Sequence, residues 1–405
     1  MSLTARSQTT IQKYVQTQAV AVKSIQPTDT SYADLEAFGK AIAGKRVVML
    51  GEQDHGDAPA FMAKTRLIRY LHEQHGFNVL AFESDFFSLT EGLQEVRDTS
   101  TLKQYLQQNI FPIWTQCDAA SYLFYQYLPQ QFNKQTPILV TGFDSQLHGQ
   151  YTRQNLHQYL DTALQEQKFQ VKNFNNIKQL LLIHADSLMY SYGRTFNNKA
   201  YFETMILQLE LLMQHQTKQQ TNPYLTVLLK SLKANSIKTL VRFESSTSES
   251  SRDAGMAANL DWLVNETYKH EKIIVWAANG HILKNSQSVV GKNFFRSMGD
   301  FFCSTPENRT QTYVLGFASR DGMAGRLFYK GAFKVTDPLP YSFENWLQQF
   351  PFAFIDFTPY NQMQKKKEAF HLKGIDHYWN GLGKWSTAFD GIFYIRTMEA
   401  CQAIN

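Results

Sequence analysis

No stretch of the 405 residues is apolar for the roughly 18 positions that a bilayer-spanning helix needs, so no membrane partner is expected. Cysteine is nearly absent. Cys117, Cys303 and Cys401 stand alone, with no paired spacing, and predict neither a disulfide framework nor a Cys-based zinc site. Charge is also sparse. Charged residues make up 19% of the chain, and the net charge of +5 is too slight and too dispersed to point to nucleic acid. There is no Gly-x-Ser-x-Gly elbow, which removes the usual serine nucleophile of an α/β hydrolase. There is no His-Glu-x-x-His and no closely spaced histidine pair, which removes the common zinc-protease signature. Internal repeats and low-complexity segments are missing too. Met1 to Thr10 has no apolar core of a signal peptide, so the default location is cytoplasmic. Met1-Ser2-Leu3 reads as a vector-derived start, which leaves a trimmed export signal open.

What is present is a large globular composition, with 14% aromatic residues. The length suits one big α/β domain or a core with an inserted subdomain. The most telling stretch is Val47-Val48-Met49-Leu50-Gly51-Glu52-Gln53-Asp54-His55-Gly56, an apolar run that ends at once in polar residues and glycines. It predicts a buried strand followed by a turn and a helix. The design recurs at Val79-Leu80-Ala81-Phe82-Glu83 and at Ile273-Ile274-Val275-Trp276-Ala277-Ala278-Asn279-Gly280-His281. Ligands in open α/β sheets bind at the carboxyl ends of strands. Three strand ends would therefore bring Glu52, His55, Glu83 and His281 to one sheet edge.

Around these strands the pattern is βαβ. Residues 11–43 read as helical, residues 57–75 as an amphipathic helix stopped by Gly76, and Pro137–Asp144 as another strand ending in an acid. From 151 to 270 the strand signals vanish and helical patterns take over, at 177–192, 201–214 and 224–233. Within that stretch Ser245–Ser251 reads as a loop, with Arg252-Asp253 opening the next helix. Strands return at 273–277, 312–318, 352–357 and 392–396. The expected fold is α/β, a central, mostly parallel sheet with helices on both faces. Its core comes from residues 11–150 and 271–400, with a helical insertion at 151–270.

Imidazole is the usual general base near neutral pH, and a neighbouring carboxylate can fix its tautomer. Glu52 and His55, three apart on a turn, suit that pairing. Glu83 and His281 would orient a water or polarise a carbonyl. Each residue also has a plain structural reading. His55 could be satisfied in its turn, Glu83 could pair with a core cation, and His281 could be a turn histidine. Asp54 and Asp57 read as helix caps rather than catalysts. Lys64 lies near enough on the following helix to face the pocket, though a solvated cation is the ordinary expectation. By ligand type the same four groups would also suit zinc or manganese.

Together these motifs resemble the erythromycin esterase-like family. They are Gly51-Glu52-Gln53-Asp54-His55-Gly56, Lys64-Thr65-Arg66-Leu67-Ile68-Arg69-Tyr70-Leu71, Gly76-Phe77 and Ala81-Phe82-Glu83. Trp114, Gly142-Phe143-Asp144, Arg252-Asp253, Met256-Ala257, Asn259, Trp276-Ala277, Asn279, His281, Ser297-Met298-Gly299 and Phe389-Asp390-Gly391 fit as well. The resemblance covers about residues 20 to 398. It implies hydrolysis of a carboxylic ester or macrolide lactone by activated water, an antibiotic-resistance chemistry, with no metal and no cofactor. It implies His55 as base, Glu52 beside it and Glu83 assisting. Lys64, Trp114 and Asn279 would stand at the substrate. His281 matches the second histidine of a Trp-x-His-x-x-His pattern, and Ala278 replaces the first. That departure leaves two alternatives in view: a metal-dependent hydrolase using the same pocket, or a non-catalytic small-molecule binder.

Overall fold

The computed structural model describes residues 9–167, 169–190, 198–215, 222–241, 248–329 and 331–404. Met1-Ser2-Leu3 and residues 245–247 lie outside them, whereas Ser248–Ser251, read as loop, is the first turn of the helix Ser248–Trp262. In chain order the strands are β1 (Val20–Ala21), β2 (Val47–Leu50), β3 (Val79–Asp85), β4 (Leu139–Asp144), β5 (Ile273–Trp276) and β6 (Thr312–Ala324). They continue as β7 (Phe333–Lys334), β8 (Phe352–Asp356), β9 (Phe370–Leu372), β10 (Gly381–Gly383) and β11 (Gly391–Met398). One sheet runs β1-β8-β11-β6-β2-β5-β3-β4, with β7 on the end of β6. From β11 through β4 every neighbour is parallel, and β8 and β1 add an antiparallel edge. This is the mostly parallel α/β architecture that the sequence predicts.

β2 lies in the middle of the sheet. All four of its side chains are sealed, as an unbroken apolar run in a parallel strand requires. Alternate residues face opposite layers. Val48, Leu50, Leu80, Phe82 and Ile274 pack against Phe61, Leu67 and Leu71 of the helix Ala58–His75. Val47, Met49, Val79, Ala81 and Val275 pack against Met256 and Leu260 of the helix Ser248–Trp262 and against Ile11 and Val15. The helices Gln150–Glu166, Phe174–Tyr190, Lys199–Gln214 and Pro223–Val241 share a third apolar cluster, including Leu160, Leu181, Leu209 and Leu228. Phe87 and Leu147 join it to the sheet's carboxyl edge. Among the described residues no helix is long and apolar enough to cross a membrane.

Two expectations need correction. Residues 11–43 are not one helical stretch. The helix Thr10–Gln18 gives way to β1, which hydrogen-bonds to β8, before a 3-10 turn and the short helix Glu36–Ala41. Nor are all the cysteines isolated. Cys117 and Cys401, 284 residues apart in sequence, form a disulfide, and Cys303 alone is free and buried. Spacing along the chain carries no information about a bridge closed by the C-terminal tail. That tail runs along the end of β2: Asp57 pairs with Ala400, and Cys401 N donates to Gly56 O at 2.8 Å.

Candidate active site

The turn after β2 is bracketed by two glycines that close approach demands. A Cβ on Gly51 would lie 2.0 Å from Asn279 Oδ1, and one on Gly56 2.0 Å from the carbonyl of Gly325. Between them Glu52 points inward and is completely buried. Its carboxylate is saturated. Oε2 accepts from Lys64 Nζ at 2.5 Å, while Oε1 bonds His55 Nδ1 at 2.8 Å and accepts from Trp114 Nε1 at 3.0 Å.

Lys64 is as buried as its partner and sits 4.0 Å from the centroid of the Trp276 ring. Burial lowers its pKa to about 8, against the pull of Glu52 and, further off, Glu83 and Asp57. Trp114 is likewise sealed, its ring meeting His55 edge-on at 5.5 Å. Asn279 donates to the carbonyls of Phe317 and Gly374 and accepts from Phe317 N, so its amide joins β5, β6 and the loop after β9. These three side chains were expected at the substrate. All three are buried, and they hold Glu52 and the β5–β6 backbone.

His55 is different. Its side chain keeps 17% of its surface exposed. With Lys64 and Trp114 donating to Glu52, that carboxylate is an acceptor, so His55 Nδ1 carries the proton. No hydrogen bond is made to Nε2 among the described residues, which leaves its lone pair available.

Glu83 and His281 form a second cluster, assembled by the neighbouring strands. Glu83 Oε2 accepts from Ala278 N at 3.0 Å, and Oε1 accepts from Arg252 Nη2 at 2.7 Å and lies 3.3 Å from His281 Nε2. Arg252 also forks onto Asp144, at 2.6 Å through Nη2 and 3.2 Å through Nε. His281 Nδ1 bonds Asp253 at 2.9 Å, and Asp253 also accepts from Met298 N at 2.7 Å. Burial by itself would lower the His281 pKa, but Asp253 and Glu83 outweigh it and push the imidazole up to about 9. Burial acts against ionisation of Glu83 too, yet His281, Arg252 and His55 hold its carboxyl well below the usual range. His281 Nε2 also lies 3.0 Å from Arg252 Nη1, a group that can only donate, so this ring is held on both nitrogens while His55 keeps one open. The two clusters meet through the backbone, where Asn279 N donates to Glu52 O at 2.7 Å. Glu83 acts electrostatically on Lys64, and His55 acts on Glu83.

Glu83 thus has the core cation of its plain structural reading as well as contact with His281. Arg252, Asp253 and Asp144 belong to this cluster and were absent from the expected site, although Asp144 carried the same strand-end signal. Behind the turn lies one more buried chain of bonds. Ser319 Oγ lies 3.0 Å from His377 Nδ1, His377 Nε2 lies 2.7 Å from Asp57 Oδ1, and Asp57 Oδ2 accepts from Asp54 N at 2.9 Å. Asp57 sits at the helix N-cap position, but its side chain closes the Glu52–His55 turn instead of capping. Nothing in the sequence marks His377.

The donor set suits protons better than a metal. Lys64 and Arg252 already occupy the carboxylates of Glu52 and Glu83 with cations. Among the described residues, the grouping of metal-ligand type is Cys117, Asp118 and Cys401, whose two sulfurs are bonded to each other.

A mostly parallel sheet that carries an open imidazole at its carboxyl edge is an α/β fold with a proton acceptor where such sheets bind ligands. The chain belongs to the erythromycin esterase family, whose profile it matches over residues 72–398, from just beyond the Glu52–His55 turn. YbfO of Bacillus subtilis (strain 168), a hydrolase by provisional name, is 28% identical over 91% of this chain and 88% of its own. The erythromycin esterase type I of Escherichia coli is 32% identical over a shorter stretch, 20% of this chain and 23% of its own. The fold is shared with a crystal structure described as a succinoglycan biosynthesis protein, at a TM-score of 0.75, 18% identity and 98% coverage of both chains. It is shared as well with a variant of the erythromycin esterase EreC in its open conformation, at a TM-score of 0.65, 18% identity, and coverage of 94% of this chain and 98% of that one.

Proposed function

We propose that this protein hydrolyses a carboxylic ester or lactone, with His55 as the general base that activates water. The observation that carries this reading is the asymmetry of one ring. Nδ1 is held by a buried, saturated carboxylate, while Nε2 has an unshared lone pair and access to solvent. Glu52 fixes the tautomer and stabilises the imidazolium formed when His55 takes a proton from water. Lys64 and Trp114 hold Glu52 in place. His281 and Arg252 offset the charge of Glu83 and hold its carboxylate in place beside the water that His55 activates. The proton then passes from His55 to the leaving alkoxide, so no covalent enzyme intermediate forms. Erythromycin esterases among the relatives support an ester or lactone as the bond cleaved, and macrolides belong in the substrate panel.

A panel of aryl esters and macrolides, assayed with the wild type and with His55→Ala, tests the reading. Turnover should fall about 10²–10⁴-fold in the variant, the usual range for a lost general base. Turnover that survives the substitution rejects it. Full activity in the wild type after exhaustive chelation supports proton chemistry over a metal-bound pocket, and loss of activity that zinc restores favours the metal.

A further inference from the structure

Two loops rest on the catalytic turn. The one between β6 and β7 touches it at Gly56, where a Cβ would lie 2.0 Å from Gly325 O and 2.8 Å from Arg326 Cα. It is tied there by Arg326 Nε, 2.5 Å from Asp54 Oδ1. The loop between β9 and β10 is held from the other side, where Gln53 Nε2 donates to Lys373 O at 2.6 Å and to Asp376 O at 3.3 Å. Both loops are thus fastened to the two residues that precede His55.

These loops place aromatic rings in solvent. Phe328 is 69% exposed, Tyr329 68% and Tyr378 54%. The Tyr378 ring stacks on Phe333 at 4.7 Å, nearly parallel. Tyr329 and Tyr378 both lie within electrostatic reach of Arg326, and Tyr378 within reach of Asp54 and Asp376 as well. The presentation is enforced by the backbone. Asp376 Oδ1 accepts from Tyr378 N at 2.9 Å and from Trp379 N at 2.8 Å. Phe328 has a φ of 70°, a region that a bulky side chain occupies only when its surroundings demand it, and such residues gather at functional sites. Solvent-facing rings held this way, on loops fastened to the residues that flank His55, offer a surface for an occupant.

The occupant must match two chemistries. Flat aromatic faces take up C–H surface. The border formed by Asp54, Arg326 and Asp376 offers both acceptors and donors. A wholly apolar group would strip water from that border and return no hydrogen bonds, which is unfavourable. An anionic membrane surface would seek unpaired cations, and Arg326 is already paired with Asp54. A pyranose ring has an apolar C–H face and a hydroxyl rim. We propose that Phe328, Tyr329 and Tyr378 form a platform for the ring face of a saccharide, so that the ester this enzyme cleaves is one carried by a sugar. This rests on the ester-hydrolase reading above.

The test compares an acetylated methyl glucoside with p-nitrophenyl acetate, in the wild type, Tyr329→Ala and Tyr378→Ala. Both tyrosines are exposed, so the variants should fold, and a melting curve checks that. The kcat/KM ratio of sugar ester to aryl ester should fall about ten-fold in each variant, the worth of one lost stacking contact, mainly through KM. An unchanged ratio overturns the proposal. Calorimetric titration of the same glucoside ester into His55→Ala asks the question without turnover. Binding that is kept in His55→Ala and lost on adding Tyr378→Ala supports the platform, and no binding in His55→Ala overturns it. If the wild type cleaves neither ester, the hydrolase reading fails while the titration still decides the platform.

Discussion

Lys64 Nζ lies 2.5 Å from Glu52 Oε2, and no solvent reaches either group. Removing one member of a sealed pair leaves the other charge unpaired, at a cost of about 3–5 kcal/mol. Lys64→Met and Glu52→Gln should each lower the denaturation midpoint accordingly. Glu52→Gln should also release the His55 tautomer and reduce kcat by about 10²–10⁴-fold. The double variant separates the two effects. Its stability should recover most of the loss, because no orphan charge remains, while its activity should stay low. A double variant that regains turnover would show that Glu52 acts only as a counter-ion to Lys64.

The bonds running from Ser319 through His377 and Asp57 to Asp54 N hold the His55 turn from behind. All three side chains are fully buried. His377→Ala strands a buried carboxylate and should destabilise the fold by about 3–5 kcal/mol. Asp57→Asn keeps an acceptor for Asp54 N and a group that can bond His377, so its cost should be nearer to about 1 kcal/mol. Its effect should appear in kcat rather than KM, because a tilted turn misplaces the base without removing contacts to substrate. Urea titrations and steady-state rates on both variants check this. Equal kcat in Asp57→Asn and wild type would reduce the chain of bonds to a purely structural role.

The strand ends were legible because a parallel strand announces itself. An unbroken run such as Val47–Leu50 can hide both faces only in the middle of a sheet, and its next residues must emerge at the carboxyl edge. Glu52, His55, Glu83 and His281 could be placed on that edge for this reason. What each one touches was not legible. Arg252 reaches Glu83 and Asp144 across 169 and 108 residues of sequence, and His377 reaches Asp57 across 320. Neither reach leaves any periodicity. Lys64 reads as an exposed cation until the apolar residues around it close the helix into the core. The depth of Trp114 and Asn279 was hidden for the same reason. A motif shows that a side chain is needed, and only its depth shows whether it faces the ligand or the residue beneath.

The Cys117–Cys401 bridge fastens the tail that lies on Gly56 to the segment that carries Trp114, three residues before Cys117. The denatured protein should expose one reactive thiol before reduction, that of Cys303, and three after it. Cys401→Ser should lose about 2–5 kcal/mol, the usual worth of a bridge closing a long loop. Turnover should fall as well, because Cys401 N and Trp114 Nε1 steady the two sides of the His55 turn. A bond of this kind persists in oxidising compartments and is rare in the cytosol. It therefore runs against the default cytoplasmic location, and thiol counting on protein taken directly from its native host would decide between them. Three free thiols there would place the pair in a reducing environment.

Activity should fall on the alkaline side, because the two buried groups that hold Glu52 and Glu83 in place lose their protons there. Lys64 is lowered from 10.5 to about 8, and His281 is raised from 6.5 to about 9. Their signs differ for stability. The raised His281 stabilises the fold fully below its ordinary value of 6.5, and that contribution is lost as pH climbs through about 9. The lowered Lys64 does the opposite: burying its cation opposes folding below about 8, and that penalty fades by 10.5. Stability should therefore fall from 6.5 to about 8, stay level between about 8 and 9 and recover toward 10.5, whereas for catalysis the two losses act together. The two groups should give an alkaline limb whose apparent values lie between about 8 and 9. Lys64→Arg keeps a cation that does not titrate in this range, so the limb should move up toward the His281 value. His281→Gln should leave the Lys64 limb near 8 at a lower plateau, since a neutral amide still donates a hydrogen bond but carries no charge. Profiles of kcat/KM for an aryl ester across this range, with all three proteins, measure the shifts. A limb that stays in place in both variants would assign the alkaline loss to a group outside the two clusters.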